Sequence, residues 1–394
     1  MIPKGWMKAQ IKEVGTVVTG STPPTKYLDN YGAEYMFVSP ADMGSHKYIR
    51  SSIKMVSKKG FDLGRKIPPK STLFTCIGST IGKIGINDTE LITNQQINSV
   101  ISSPGVDSEF IYYSLENVAQ RIKKMAGQQA VPMINKSDFE EESIILPTSQ
   151  NEQEKIAKIL STWDEAIENI ENLIKRKLMQ KKYFEKEHFF KMPSSKTLVF
   201  GDIFERVMSK NVKTESKNVL TISAQNGLVN QKDFFKKSIA SKNTSKYFLL
   251  KKGDFAYNKS YSAGYPLGAI KPLELYEDGV VSPLYICFSL KKPNAYKLSF
   301  FKHFFESGAF DLQISSIAQE GARNHGLLNV SVVDFFKLQI PFYSDDQIHK
   351  YSNFFDITDH EISLLKKKMK QFKNQKQGLM QQILTGKKRV AIDA

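Results

Sequence analysis

An α+β fold is predicted for this chain: two mainly-β domains with helices, separated by two long helices that form an antiparallel coiled coil with pseudo-two-fold symmetry. Three observations predict it. The sequence repeats itself at an offset of 194 to 195 residues, which is the mark of two copies of one unit. Each copy ends in a stretch whose apolar residues step by four and three alternately. Ahead of each stretch, short β-branched and aromatic runs alternate with Gly, Asn and Ser punctuation. At 394 residues the chain exceeds one ordinary domain and suits two, each able to bury its own core.

The repeat sets the boundaries. Ile134-Asn-Lys-Ser137 lines up with Leu328-Asn-Val-Ser331, and Ile144-Ile-Leu-Pro147 with Leu338-Gln-Ile-Pro341, both at 194. One residue is then inserted, after which Lys155-Ile156 matches Lys350-Tyr351, Asp164 matches Asp359 and Ile167 matches Ile362. Gly127 falls on Gly321, while Pro69–Phe74 resembles Lys251–Ala256 in pattern more than in identity. The chain divides into domains 1–147 and 197–341 and long helices 148–192 and 344–386, and the helices agree better than the domains.

In the first helix the seam is Ile156, Leu160, Trp163, Ile167, Ile170 and Ile174. The second keeps the register with Tyr351, Phe355, Ile362, Leu365, Met369 and Phe372, then Leu379 and Ile383, interrupted by polar Thr358 and Lys376. Ser149 or Asn151 caps the first helix, with Glu152 and Glu154 in its first turn; Ser344 with Asp345 and Asp346 opens the second. The first runs to about Phe190, before Pro193, and the second to Leu384, before Gly386, so each is about 55 Å long. A helix of that length with one apolar stripe needs a partner. The other helix is the simplest one, and antiparallel pairing places the domains at opposite ends.

Within the domains, strands are expected at Ser71–Cys76, Ile97–Ser102, Gly253–Tyr257 and Val280–Leu290, and helices at Glu109–Met125 and Tyr296–Ile317. Met192–Lys196, with Pro193 and Ser194-Ser195, reads as a linker. Cys76 and Cys287 lie inside apolar strand-like runs, where a buried, reduced thiol is expected and no disulfide framework is implied. No apolar run reaches the ~18 residues of a spanning helix, and the opening Met1-Ile-Pro-Lys-Gly-Trp6 lacks a signal pattern. The expectation is a cytoplasmic chain with no membrane partner, mature from its first residue.

Charge narrows the partner. With 56 Lys+Arg against 40 Asp+Glu the formal charge is +16, which favours a polyanion. Eight Lys or Arg fall between Lys175 and Lys196 against two acids, and nine between Lys366 and Arg389 with none. Repetition of the run in both copies favours contact with phosphates or an acidic partner over a merely solvated face.

Catalytic signatures are missing. Thr22-Pro-Pro-Thr25 and Ile67-Pro-Pro-Lys70 have the prolines of the adenine-methyltransferase tetrapeptide without its acceptor or its ring. Gly78-Ser-Thr-Ile-Gly82-Lys83 is one residue short of a phosphate-binding loop and has Ile84 where the Mg²⁺-binding hydroxyl is required, so it reads as a turn between strands. The six histidines, His46, His188, His303, His325, His349 and His360, show no metal spacing, and no catalytic residue and no metal ligand is assigned. Polar residues on Gly-punctuated turns are instead candidates for reading base edges. They are Ser79, Thr80, Lys83, Gln128, Gln129, Asn135 and Lys136 in the first copy. In the second they are Lys259, Ser260, Tyr261, Arg323, Asn324 and His325. Asn135 and Asn329 have a second reading as turn or cap residues.

Three stretches carry a family resemblance: Gly5-Trp6 followed by Ile11-Lys-Glu-Val14; Ile-Leu-Pro147 followed by Glu152-Gln-Glu-Lys-Ile-Ala157; and the tail Gln375-Lys-Gln-Gly-Leu-Met-Gln-Gln-Ile-Leu384-Thr-Gly386. Together they resemble the specificity subunit of type I restriction-modification systems over the whole chain. The second helix entry, Asp346-Gln-Ile-His-Lys-Tyr351, departs from the Glu-Gln-x-x-Ile-Ala pattern without losing register. The resemblance implies a non-catalytic subunit with two target-recognition domains reading a split, asymmetric sequence in double-stranded DNA, the helices setting the gap. It further implies docking of two methyltransferase subunits and two restriction-translocase subunits. S-adenosylmethionine, ATP and Mg²⁺ then belong to those partners, and this chain binds no cofactor. The competing readings are a stand-alone DNA adenine methyltransferase or nuclease, and a non-specific DNA-binding coiled-coil scaffold.

Overall fold

The computed structural model describes residues 2–44, 46–126, 131–191, 196–223, 226–235, 243–261, 264–320 and 328–391. They form two compact units, Met1–Leu173 with Lys366–Ala394, and Ile174–Leu365. The division cuts both long helices near their middles, because each half-helix shares a core with its domain.

In unit 1, β1 (Trp6–Gln10) pairs with β7 (Ser143–Pro147). The main sheet runs in the order β2 (Gly15–Thr19), β6 (Ile97–Ser102), β4 (Thr72–Thr75), β5 (Ile84–Asn87), β3 (Tyr48–Ile49). A second sheet joins Tyr31–Val38, Lys54–Val56, Lys66–Ile67 and Leu91–Thr93. Helix α1 (Ser108–Met125) starts where the Asp107 carboxylate accepts from the Phe110 N–H at 2.8 Å. It buries Phe110, Ile111, Tyr113, Leu115 and Ile122. Short α2 (Lys136–Glu141) precedes β7, and α3 (Gln150–Glu185) follows directly after Ser149.

Unit 2 repeats the plan: β8 (Thr197–Val199) pairs with β13 (Gln339–Pro341), as β1 does with β7. Its main sheet runs β9 (Phe204–Arg206), β12 (Ile286–Leu290), β10 (Phe255–Asn258), β11 (Ala269–Pro272), the order of the first four strands in unit 1. Helices α4 (Ala295–Glu306), α5 (Asp311–Ile317) and α6 (Val332–Phe335) lead to α7 (Asp345–Ile383). A capping box opens α7: Ser344 Oγ accepts from the Gln347 N–H at 3.2 Å, and Gln347 Oε1 from the Ser344 N–H at 2.9 Å.

Three expected elements differ. Val280–Leu290 is two strands, Asp278–Val281 and β12, since Pro283 lies in the turn between them and has no N–H for a ladder. Tyr296–Ile317 breaks into α4 and α5 at Gly308, whose φ of +80° ends a helix. Gly253 precedes β10 in a turn closed by Asp254, whose carboxylate accepts from the Lys251 N–H at 2.7 Å. The linker residues 192–195 lie outside the described residues.

All twelve seam positions are buried or half-buried. In unit 1 the first part of α3 meets the last part of α7 in opposite direction. Trp163 stands edge-on to Phe372 at 5.4 Å, Glu171 pairs with Lys373 at 2.8 Å and Asp164 with Lys376 at 2.7 Å. Ile156, Leu160, Met380, Ile383 and Leu384 join one core with Phe74, Phe110 and Phe139. Each such side chain contributes about 1.5–3 kcal/mol through burial. In unit 2, Lys177 pairs with Glu361 at 2.7 Å, Lys181 with Asp359 at 2.6 Å, and Phe184 stacks on Phe354 at 3.9 Å, again antiparallel. Phe189, Tyr351 and Phe355 enter a core of phenylalanines that includes Phe200, Phe204, Phe255, Phe288, Phe300 and Phe304.

The two interruptions of the seam have physical accounts. Thr358 is buried and its hydroxyl donates to the Phe354 carbonyl at 2.7 Å, a local solution. Buried Lys376 instead ties three helices together. Its ammonium lies 2.7 Å from Asp164 on α3 and 3.1 Å from Glu116 on α1, and Tyr113 donates to the same Asp164 at 2.6 Å. Beside it Lys47, also buried, contacts Glu109 at 2.8 Å and the Tyr113 hydroxyl at 3.0 Å.

His303 in unit 2 is 2 % exposed, stacks on Phe355 at 4.4 Å, and neither ring nitrogen has a hydrogen-bond partner among the described residues. Asp359 and Asp356 stand 3.7 and 4.0 Å from Nε2, beyond hydrogen-bond reach. Burial, then Lys181 and Lys302, push the imidazole down to about 2, so it stays neutral when folded. Unfolded, it takes up a proton below its ordinary 6.5, so stability present above that pH is lost as pH falls through it. His303→Phe removes both orphaned groups and that loss. Calorimetry should show stabilisation of about 1–2 kcal/mol at pH 7, larger at pH 5.5. A lowered melting temperature at both pH values would refute this account.

Candidate nucleic-acid interface

The β4–β5 connection, 78–83, is a tight turn, with Gly78 and Gly82 at φ +90° and +91°. Ser79 at its tip is exposed and Thr80 half-buried. Lys83 is partly committed, its ammonium donating to the Pro40 carbonyl at 2.9 Å. The segment before α2 crosses back onto this turn: the Gly78 N–H donates to the Pro132 carbonyl at 2.8 Å and the Ile134 N–H to that of Cys76 at 2.9 Å. Unit 2 repeats the crossing, with the Leu328 N–H donating to the Lys259 carbonyl at 3.0 Å beside the β10–β11 turn. In unit 1 these main-chain bonds bring the segment that carries Asn135 and Lys136 to the turn that carries Ser79, Thr80 and Lys83.

The candidates differ in how free they are. Asn135 caps α2: its Oδ1 accepts from the Asp138 N–H at 2.8 Å and its Nδ2 donates to the Asp138 carboxylate at 2.8 Å. Its matched residue Asn329 lies in a short strand instead, and Ser331 caps α6 there. Lys136 sits 3.4 Å from Glu140, a solvated pair that leaves it accessible. Lys259 is half-buried, and burial pulls its ammonium down from the ordinary lysine range. Ser260 donates its N–H to Asn258 Oδ1 at 3.2 Å, and Tyr261 is 64 % exposed. Gln128, Gln129, Arg323, Asn324 and His325 lie outside the described residues.

One group escaped the sequence reading. Asn94, Gln95 and Gln96 join Leu91–Thr93 to β6, and the Gln96 carbonyl accepts from the Cys76 N–H at 2.8 Å, setting this loop against the same turn. Gln96 Oε1 accepts from Asn94 Nδ2 at 2.9 Å, while exposed Gln95 accepts from the Thr22 hydroxyl at 2.6 Å. Three consecutive amides beside a Gly turn were the available signal, and amides are suited to paired hydrogen bonds with adenine. Burial pushes both thiols up to about 12, so neither is a ready nucleophile. Among the described residues no three His, Cys, Asp or Glu are placed to hold a metal ion.

Residues 3–178 match the family described as the type I restriction modification DNA specificity domain. The matched stretch runs from β1 through most of α3 and includes the turn and the amide loop just described. The chain is 34% identical over 173 residues to the type I restriction enzyme MjaIX specificity subunit of Methanocaldococcus jannaschii, covering 43% of this chain and 40% of that protein. The HindI specificity subunit of Haemophilus influenzae is 30% identical over 177 residues, covering 43% and 38%. The matches span less than half the length of these relatives.

Solved structures extend the fold likeness beyond the specificity domain. The type I restriction-modification S subunit from M. genitalium aligns with a TM-score of 0.57 at 17% identity, over 97% of this chain and 96% of that one. A chain from a structure of type I restriction-modification complex assembly and conformational transition gives 0.53 at 12%, over 98% of both. The fold of the whole chain is the one these proteins share. No helix among the described residues is long and apolar enough to cross a membrane.

Proposed function

We propose that the full chain is the sequence-recognition subunit of a type I restriction-modification complex. Each unit reads one half of a split, asymmetric DNA target, and α3 and α7, continuous through both units, set the gap. One observation carries the reading: both units build the same strand order and the same crossed turn, yet place different side chains on it. In unit 1 these are Ser79, Thr80 and Gln95, and in unit 2 Ser260 and Tyr261. A common frame with different tips suits two different half-sites. The chain itself is non-catalytic. It docks two methyltransferase and two restriction-translocase subunits in the cytoplasm, and those partners bring S-adenosylmethionine, ATP and Mg²⁺.

Selection from randomised duplexes by the chain together with its methyltransferase partner tests this. A bipartite sequence with a fixed gap is expected. Gln95→Ala should relax or weaken one half only, by about 1–3 kcal/mol at the affected base pair. Enrichment of no bipartite sequence would leave the non-specific scaffold, and adenine methylation by the purified chain alone would restore the enzyme reading.

A further inference from the structure

We propose that Lys366, Lys367 and Lys370 of α7 form a contact for the phosphate backbone of duplex DNA, independent of base sequence; this rests on the DNA-reading function above. All three are exposed and form no ion pair among the described residues. Farther along the same helix the cations are neutralised inside unit 1, Lys373 by Glu171 at 2.8 Å and Lys376 by Asp164 and Glu116. The contrast separates two jobs within one basic run.

At 100° per residue, Lys366, Lys367 and Lys370 share one face of α7 with Asn374, Gln377 and Gln381, all exposed. That face holds no apolar side chain, and no acid occurs from Lys366 to Arg389. Like charges at Lys366 and Lys370, four residues apart, oppose helix formation, so the arrangement does not serve the helix. Nor does it suit a protein partner, because interface centres are apolar and depleted in lysine. Lysines followed by amide donors match phosphate oxygens, which accept from both.

The test uses the full-length chain and a mixed-sequence 40-base-pair duplex, with Kd measured against KCl concentration. In Lys366→Gln/Lys367→Gln/Lys370→Gln the slope of log K against log salt should become shallower by about 2 to 3, since each phosphate contact contributes about 0.9. Affinity near 0.1 M salt should fall by roughly tenfold or more. The corresponding triple Arg variant should keep the wild-type slope, which separates charge from helix damage. An unchanged slope in the Gln variant overturns the proposal. So does an unchanged slope with lost co-purification of a partner protein, which would assign the face to an acidic protein surface. Selection on the Gln variant should return the wild-type target. If wild type enriches no target while the slope still falls, the phosphate contact stands and the split-target reading fails.

Discussion

Lys376→Met should lower the unfolding temperature of unit 1 by about 6–15 °C, corresponding to a loss of about 3–5 kcal/mol. The lysine ammonium is the shared counter-ion of Asp164 and Glu116, and its side chain is 9 % exposed. Met fills the same volume, so the loss measures charge left unpaired rather than a cavity. Both tryptophans, Trp6 and Trp163, lie in unit 1, so tryptophan fluorescence follows this transition alone.

The pH dependence separates this account from lost packing. Burial holds the Glu116 carboxyl above its ordinary 4.5, and Lys376 opposes that rise. Without Lys376 the opposition is gone and the folded value climbs further. The folded state then binds more protons than the unfolded state between 4.5 and that raised value, so stability falls as pH rises across the interval. The variant should therefore be least impaired near pH 5 and most impaired at pH 8. Adding Glu116→Gln and Asp164→Asn should recover most of the loss, because neutral amides need no counter-ion. A cost under about 1 kcal/mol at pH 8, or no recovery in the triple variant, would remove the network from any account of how α1 is fixed to the helices.

What the residues disclosed beforehand follows the range of the forces involved. The long helices were legible because a stripe stepping by four and three is a local pattern, and Ile156 to Ile174 display it without reference to anything distant. Lys376 looked like a flaw in that stripe because its partners, Glu116 and Asp164, are far away in sequence. The shared strand order was hidden for a related reason. β4 and β10 are equivalent in their sheets, but their spacing differs from that of Pro147 and Pro341, so a single offset cannot align both. The base-reading candidates on the Gly turn were found from composition, whereas their junction with the segment before α2 depends on main-chain bonds between Gly78 and Pro132 that no side-chain pattern encodes. Gln95 was missed because a short polar loop between two apolar strands looks like any other.

Arg389→Met should loosen β1 specifically. Three stretches that carry the family resemblance meet here: the opening Gly5-Trp6, the helix entry at Glu152 and the tail beyond Leu384. Glu152 is 1 % exposed, and Arg389 grips its two oxygens at 2.7 and 2.9 Å while donating a third bond to the Lys4 carbonyl at 2.9 Å. The Trp6 indole N–H donates to the same carboxylate at 3.3 Å. Gly386 seals the junction, because at φ +66° a Cβ there would lie 2.6 Å from Pro3 and 3.2 Å from the Trp6 ring. Arg389 is itself about half exposed, so water replaces part of what it supplies; a loss of about 2 kcal/mol is expected in place of the 3–5 of a fully buried pair. The order of variants decides the cause. If an unpaired buried carboxylate is the cost, Arg389→Met alone must be worse than Arg389→Met with Glu152→Gln, and Glu152→Gln alone must be mild because the freed guanidinium is solvated. Hydrogen exchange should place the loss at β1 and its partner β7, with α1 unaffected. Equal losses in the single and double variants would mean instead that Trp6 packing on Gly386 holds the junction, with the ion pair contributing little.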